Sequence, residues 1–324
     1  MKKILLATTL LAATTGFAAA EVTLSGDARM GIISTFGSDV RFTSRARVKF
    51  TLSGETDGGL AFGASFRADN AASESVTTVT TTTGADGIAG TADDITSAST
   101  TNGGGAVNGD AGSVFISGAF GKLSMGDVDD AANAAVGHVS GVGLTGLGDL
   151  NESTFIGNGD GVTDPSALYE YSTGDLTVYA SVTNPTDDAD FDAYSVAAKY
   201  AMGDYTVALG YEALDSSIGD VDHLILGVSA TFGAITVKGN YGKADGNLGI
   251  VSLDGDQYAV SVDYKADALT VTAFYADDSE LLGVEAYGLG ASYDLGGGAS
   301  VVGGYAKNET DDEDAFDVGI SMSF

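Results

Sequence analysis

Apolar and polar residues alternate along much of this chain. In residues 41–53, RFTSRARVKFTLS, the apolar positions are Phe42, Ala46, Val48, Phe50 and Leu52. Arg41, Thr43, Arg45, Arg47, Lys49, Thr51 and Ser53 stand between them. A period of two predicts a β-strand with one greasy and one polar face. The same period recurs in Leu176, Val178, Ala180 and Val182, in Tyr205, Val207, Leu209 and Tyr211, in Leu224, Leu226, Val228, Ala230 and Phe232, and in Tyr258, Val260, Val262 and Tyr264. Several apolar faces begin and end on aromatic rings, which can be half wet and half buried. A soluble sandwich also alternates, with its polar face turned to bulk solvent. Arg45, Arg47 and Lys49 form a basic ladder about 6.8 Å per step instead, as a polar face with work to do would. A barrel with lipid outside and water within fits that pattern.

The connections keep a short–long rhythm. Short turns rich in Gly and Asp fall at residues 54–59, 118–121, 173–175, 203–204, 233–234, 266–267 and 296–298. Long loops fall at 34–40, 69–111, 126–167, 183–190, 214–222, 242–256, 277–283 and 307–313. Seven short and eight long connections join sixteen strands, with each kind on its own rim. The expected fold is all-β: a 16-stranded antiparallel transmembrane β-barrel. Its last strand places Phe316, Val318, Ile320, Met322 and Phe324 on one face and ends the chain on an aromatic residue. That ending resembles the assembly signal of bacterial outer-membrane proteins.

Composition sharpens this reading. Lys2 and Lys3 precede an apolar run over residues 4–17 and then Ala18, Ala19 and Ala20. This predicts a secretory signal over residues 1–20 and a mature chain over 21–324. The run is short for a membrane anchor, and no later stretch approaches the roughly 18 apolar residues that a spanning helix requires. A membrane role therefore requires a closed barrel. The net charge is −31, or −33 once the two leader lysines are removed, which argues against a nucleic-acid partner. With 44% hydrophobic residues, 14 Tyr and 14 Phe, the acidity accompanies a folded sheet rather than disorder. There is no cysteine, hence no disulfide and no thiolate chemistry. Both prolines, Pro165 and Pro185, fall in loops, as an unbroken ladder demands.

Four segments carry a family resemblance: EVTLSGDARMGI from Glu21, SRARVKFTLSGETDGGLAFGASFRA from Ser44, VFISGAFGKLSMGD from Val114 and YGLGASYDLGGGASVVGGYA from Tyr287. The chain resembles the general-diffusion porins of Rhodobacter-like alphaproteobacteria. The resemblance implies a homotrimer in the bacterial outer membrane, in contact with lipid and lipopolysaccharide. It also implies a third long loop, residues 126–167, folded inward as a constriction, with loop acids facing wall bases. The long external loop, 69–111, would reach a neighbouring subunit.

Strand phase independently places Arg29, Arg45, Arg47, Lys49, Arg67 and Lys122 on the polar face as pore-wall bases. The constriction-loop acids are Asp127, Asp129, Asp130, Asp149 and Glu152, with Asp160 and Asp164 further on. The sequence departs from the family pattern in that residues 131–147 hold no acid, which predicts a weaker transverse field. In the Thr-rich loop, Asp86, Asp93 and Asp94 lie among tight glycine turns. Calcium there, and divalent ions at Asp311, Asp312, Glu313 and Asp314 bridging lipopolysaccharide, are further expectations.

Other motifs do not support enzyme chemistry. Gly141, Gly143 and Gly146 match a dinucleotide fingerprint, but no helical period follows, so flexible pore-loop backbone is the better reading. His138 and His223 are the only histidines, which excludes a multi-histidine zinc site. A Ser-His-Asp triad lacks a G-x-S-x-G elbow to present its serine. The expected function is a water-filled channel for passive diffusion of small hydrophilic solutes and ions, weakly preferring cations. No required cofactor and no enzyme activity are expected. The alternatives are a barrel acting as an adhesin or enzyme scaffold, and a soluble secreted β-protein.

Overall fold

The structure is a computed structural model and describes residues 20–71, 76–82, 95–101, 107–108, 112–157, 166–183, 191–281 and 283–324. Residues 1–19, nearly all of the expected signal, lie outside the described residues. Sixteen strands form the wall. They are β1 (Glu21–Ser34), β2 (Arg41–Glu55), β3 (Ala61–Ala71), β4 (Ser113–Gly118), β5 (Gly121–Gly126), β6 (Ser166–Thr173), β7 (Leu176–Thr183) and β8 (Phe191–Met202). They continue with β9 (Tyr205–Ser216), β10 (Gly219–Phe232), β11 (Ile235–Leu248), β12 (Gly255–Ala266), β13 (Leu269–Asp277), β14 (Glu285–Gly296), β15 (Ala299–Asn308) and β16 (Glu313–Ser323).

Each strand pairs antiparallel with the next, and β1 also pairs with β16, so the sheet closes on itself. The terminal residue completes the seam. Phe324 N–H donates to the Gly26 carbonyl at 2.9 Å, and Gly26 N–H donates back at 3.2 Å. Closure leaves no strand edge facing lipid, where an unpaired backbone group costs several kcal/mol. Outside the wall, Val76–Thr82 and Ile95–Thr101 form a hairpin within the long 69–111 segment.

Two expected long loops are mostly strand. β9 runs to Ser216 and β10 starts at Gly219, leaving only residues 217–218 between them; β11 likewise continues to Leu248. Leu214 and Val221 turn inward and pack with Ile156, Leu253 and Leu281, which extends the pairing beyond the apparent turn signals.

Burial is inverted relative to a soluble protein. Leu224, Leu226 and Val228 on the outer face are 50%, 40% and 47% exposed, whereas inward Glu212 and His223 are fully buried. Tyr200, Tyr205, Phe232, Tyr264 and Tyr293 ring the short-turn end of the outer face. Tyr211, Tyr241, Tyr258, Tyr287 and Tyr305 ring the other, and Tyr205 to Tyr211 spans about 20 Å along its strand. On the long-loop side the hydroxyls reach carboxylates: Tyr211 donates to Asp222 at 2.5 Å and Tyr258 to Asp277 at 3.0 Å. The rings thus mark two interfaces around an apolar band. Leu226→Arg, between the girdles, is expected to lower stability by about 2–4 kcal/mol in denaturant unfolding from lipid vesicles. Inward Thr51→Arg is expected to cost far less, and equal losses would count against the lipid-facing assignment.

Candidate channel constriction

After β5 the chain turns into the barrel, and residues 127–157 lie against part of its inner wall. Ala131, Ala132, Ala135, Val139, Val142, Leu144 and Leu147 are all buried there. The acid-free stretch therefore forms the docking face of the loop. The wall makes room with small residues: Ala197 and Ala208 meet Ala131 and Ala135, while Ala259, Ala286 and Ala306 meet Val139, Val142 and Leu147. Where the loop comes closest, only glycine fits. A Cβ on Gly304 would lie 2.5 Å from the Gly143 nitrogen, and one on Gly210 would lie 2.5 Å from Ala132 Cβ.

A helix, α1 (Ala131–Val136), opens the inserted segment. At six residues it is too short to persist alone, so its first amides depend on outside acceptors. Asp130 caps it, accepting from Asn133 N–H at 2.8 Å. Ser181 and Ser195 hydroxyls accept from Ala131 and Ala132 N–H, both at 2.9 Å. The same scheme continues along the loop. Ser261 accepts from Ser140 N–H at 2.9 Å, and the Asp317 carboxylate accepts from Leu144 and Thr145 N–H at 2.8 and 2.7 Å.

The returning arm is held by a buried chain of polar groups. Gln257 accepts from Thr154 N–H at 2.8 Å and donates to its carbonyl at 2.7 Å. Its amide nitrogen also lies 2.9 Å from His223 Nε2, and His223 Nδ1 lies 2.6 Å from Glu212. Because the Gln257 amide is the donor, Nε2 accepts, so the proton sits on Nδ1 and the ring is neutral. The other Glu212 oxygen accepts from Gly157 N–H at 2.9 Å.

The basic wall stands apart from most of this anchoring. Arg29 reaches toward the loop, its guanidinium 3.4 Å from the Leu144 carbonyl. Arg45 pairs with Asp27 at 3.0 Å, Arg47 and Arg67 share Asp69 at 3.1 and 2.6 Å, and Lys122 pairs with Glu170 at 3.0 Å. Lys49 is exposed. Asp27, Asp69 and Glu170, the carboxylates in these pairs, all belong to the wall. Among the expected loop acids, Asp127, Asp129, Asp149 and Glu152 are exposed, and Glu152 lies 3.9 Å from His138. Asp130 departs from expectation: it is 2% exposed and serves as an anchor beneath α1.

Asp160 and Asp164 lie outside the described residues, as do Asp86, Asp93 and Asp94. Among the described residues no group of three or more His, Asp or Glu is placed to hold a metal. Within the 311–314 cluster, Asp312 pairs with Lys307 and Asp311 accepts from Asn308. Sequence reasoning missed the acceptors Glu212, Gln257 and Asp317, which carry no motif. Their only signal is a polar residue at an inward position, shared with every lumen-facing residue.

A closed barrel with a lipid-facing exterior and one of its own loops pinned within the lumen defines a membrane channel. The chain belongs to the Gram-negative porin family, whose model matches residues 7–313. It is 39% identical to a porin of Rhodobacter capsulatus, the alignment covering 94% of this chain and all of the relative. A porin of Fuscovulum blasticum is 28% identical over the same shares. A porin structure refined at 1.8 Å matches with a TM-score of 0.73 at 39% identity, covering 94% of this chain and 100% of that one. A triple mutant of Rhodopseudomonas blastica porin, 24% identical with the same coverage, shares the fold with a TM-score of 0.67.

The anchor at Asp130 sets a pH dependence. Burial, and then the neighbouring Glu212 charge, pushes its carboxyl up to about 8. The docked loop thus holds a proton that a solvated aspartate releases near 4. Docking is expected to be fully favoured below about pH 4 and to weaken as pH rises toward 8, by at most about 1.4 kcal/mol per pH unit. Hydrogen exchange at Ala131 and Ala132, corrected for intrinsic rate, reads this slope. Asp130→Asn, which keeps the cap, is expected to flatten it.

Proposed function

We propose that this outer-membrane porin passes small hydrophilic solutes and ions by passive diffusion, with size set by the inserted loop. The observation that carries this reading is the loop itself, held inside the lumen by wall side chains at six or more points along residues 131–157. No coupled reaction is proposed. The alternative of an adhesin or enzyme scaffold has no organised external site among the described residues to favour it.

A weak cation preference follows from the charge pattern. Asp27 and Asp69 pair with Arg45, Arg47 and Arg67 of the wall, while Asp129, Asp149 and Glu152 are exposed on the loop. Replacing Arg45 and Arg47 together with Gln is expected to raise the cation-to-anion permeability ratio on the order of twofold. Reversal potentials in planar bilayers under a salt gradient measure this. An unchanged potential would remove the pair from the selectivity determinants.

Trimer assembly is part of the same proposal. The wall is shortest at β4 and β5, six residues each against fourteen in β1, and a neighbouring subunit would cover that low side. The 69–111 segment is proposed to contribute to that contact, and lipid and lipopolysaccharide to surround the rest. Calcium at Asp86, Asp93 and Asp94 is a further proposal. Heat released on calcium titration, lost in a triple Asn variant, is the expected result.

A further inference from the structure

A cavity of 150 Å³ opens beside α1, with Lys199, Lys238, His138, Thr206, Ser229 and Asn240 as its polar lining. No carboxylate lines it, in a chain of net charge −31. The cavity was not legible in the sequence, since its lysines come from β8 and β11 and converge only in the folded wall.

The lining residues divide into committed and available groups. Lys199 donates one ammonium proton to the Ala134 carbonyl at 3.3 Å and lies 6.0 Å from the Tyr179 ring, with Glu170 as its nearby acid; Glu170 is itself paired with Lys122 at 3.0 Å, which leaves Lys199 two further donors. Asn240 is committed, donating to the Gly137 carbonyl at 2.8 Å and to Ser153 at 3.0 Å. His138 Nδ1 accepts from Ser153 N–H at 3.1 Å, which places its proton on Nε2. Lys238 makes no hydrogen bond or ion pair among the described residues. Asp263, on the adjoining strand, is occupied by the hydroxyls of Ser140 at 2.7 Å and Thr272 at 2.6 Å. Two ammonium groups and two hydroxyls are therefore left to face one space with no acid in its lining.

The lining and the volume together point to a ligand class. A space of 150 Å³ admits several waters and so has room for a small oxyanion. Lys199, Thr206, Ser229 and Lys238 all lie within four residues of the turns at 203–204 and 233–234, which places the cavity toward the short-turn rim. We propose that it is a binding station for small oxyanions of the phosphate class, which gives an acidic channel a local foothold for anions. Lysine suits this role as a compact point charge for phosphate oxygens. The proposal rests on the channel reading above.

Single-channel recording of the purified protein, with inorganic phosphate titrated at constant ionic strength, tests it. The current is expected to fall saturably with phosphate. Lys238→Gln, which leaves the loop contacts intact, is expected to raise the half-blocking concentration at least tenfold, and Lys238→Arg to raise it much less. Lys243→Gln removes the same charge from an exposed position paired with Asp256 and is expected to behave as wild type. Open channels indifferent to phosphate would overturn the station alone, as would equal block of wild type and Lys238→Gln, or an equal loss in Lys243→Gln. A protein that folds into bilayers and passes no ions would overturn the channel reading, and the station with it.

Discussion

A backbone N–H or C=O removed from water must find another partner, and this constraint shapes both halves of the molecule. In the wall it forces closure, because an open sheet would leave one strand edge unpaired in lipid. The last residue is recruited to that end, with Phe324 exchanging two hydrogen bonds with Gly26 at the seam. Inside the lumen no strand is free to pair with the inserted loop. Side chains of the wall take over, so serine hydroxyls, Asp317, Gln257 and Glu212 meet the loop amides one by one. The aperture is thereby tied to the hydrogen-bonded wall.

The same requirement governs how charge is used. On the loop-bearing side, carboxylates at Asp130, Glu212 and Asp317 are spent as hydrogen-bond acceptors. Along β1, β2 and β3 guanidinium groups crowd instead, and Asp27 and Asp69 are interleaved among them. Like charges at strand spacing repel by about 1 kcal/mol or more even near water, and the interleaved acids offset that. The arginine-bearing wall thus largely settles its own charge.

Much of the wall was legible because a two-sided environment imposes a strict period of two. Phe42, Val48 and Leu52 announce lipid, and Arg45 and Arg47 between them announce water. The period of two continues but changes sense beyond the aromatic girdle: Leu214 and Val221 turn inward onto Ile156 while Asp215, Asp220 and Asp222 face outward and stay exposed, so hairpins that continue as strand looked like loops. The position of the constriction loop was legible from its length and family likeness, but its docking was not. Apolar residues over 131–147 looked like missing acids, when they are the surface that seats the loop. Asp130 was indistinguishable from Asp127 and Asp129 until the fold placed it under α1. Lys199 and Lys238, 39 positions apart in sequence, share a cavity only because β8 to β11 stand side by side.

The Glu212–His223–Gln257 chain shows why such a seat is polar rather than greasy. A purely apolar dock would bury the loop equally well in several registers, since alanines and glycines line much of the wall. A buried amide that must both accept from and donate to Thr154 admits one register. Gln257 can do so only if its second N–H has an acceptor, which His223 Nε2 supplies. His223 offers a lone pair there only while its proton is held at Nδ1 by Glu212. Each link fixes the orientation of the next, and removing any one leaves a buried polar group unpaired at about 1–3 kcal/mol. The chain thus makes a misplaced loop costly, which is what a pore of defined width requires.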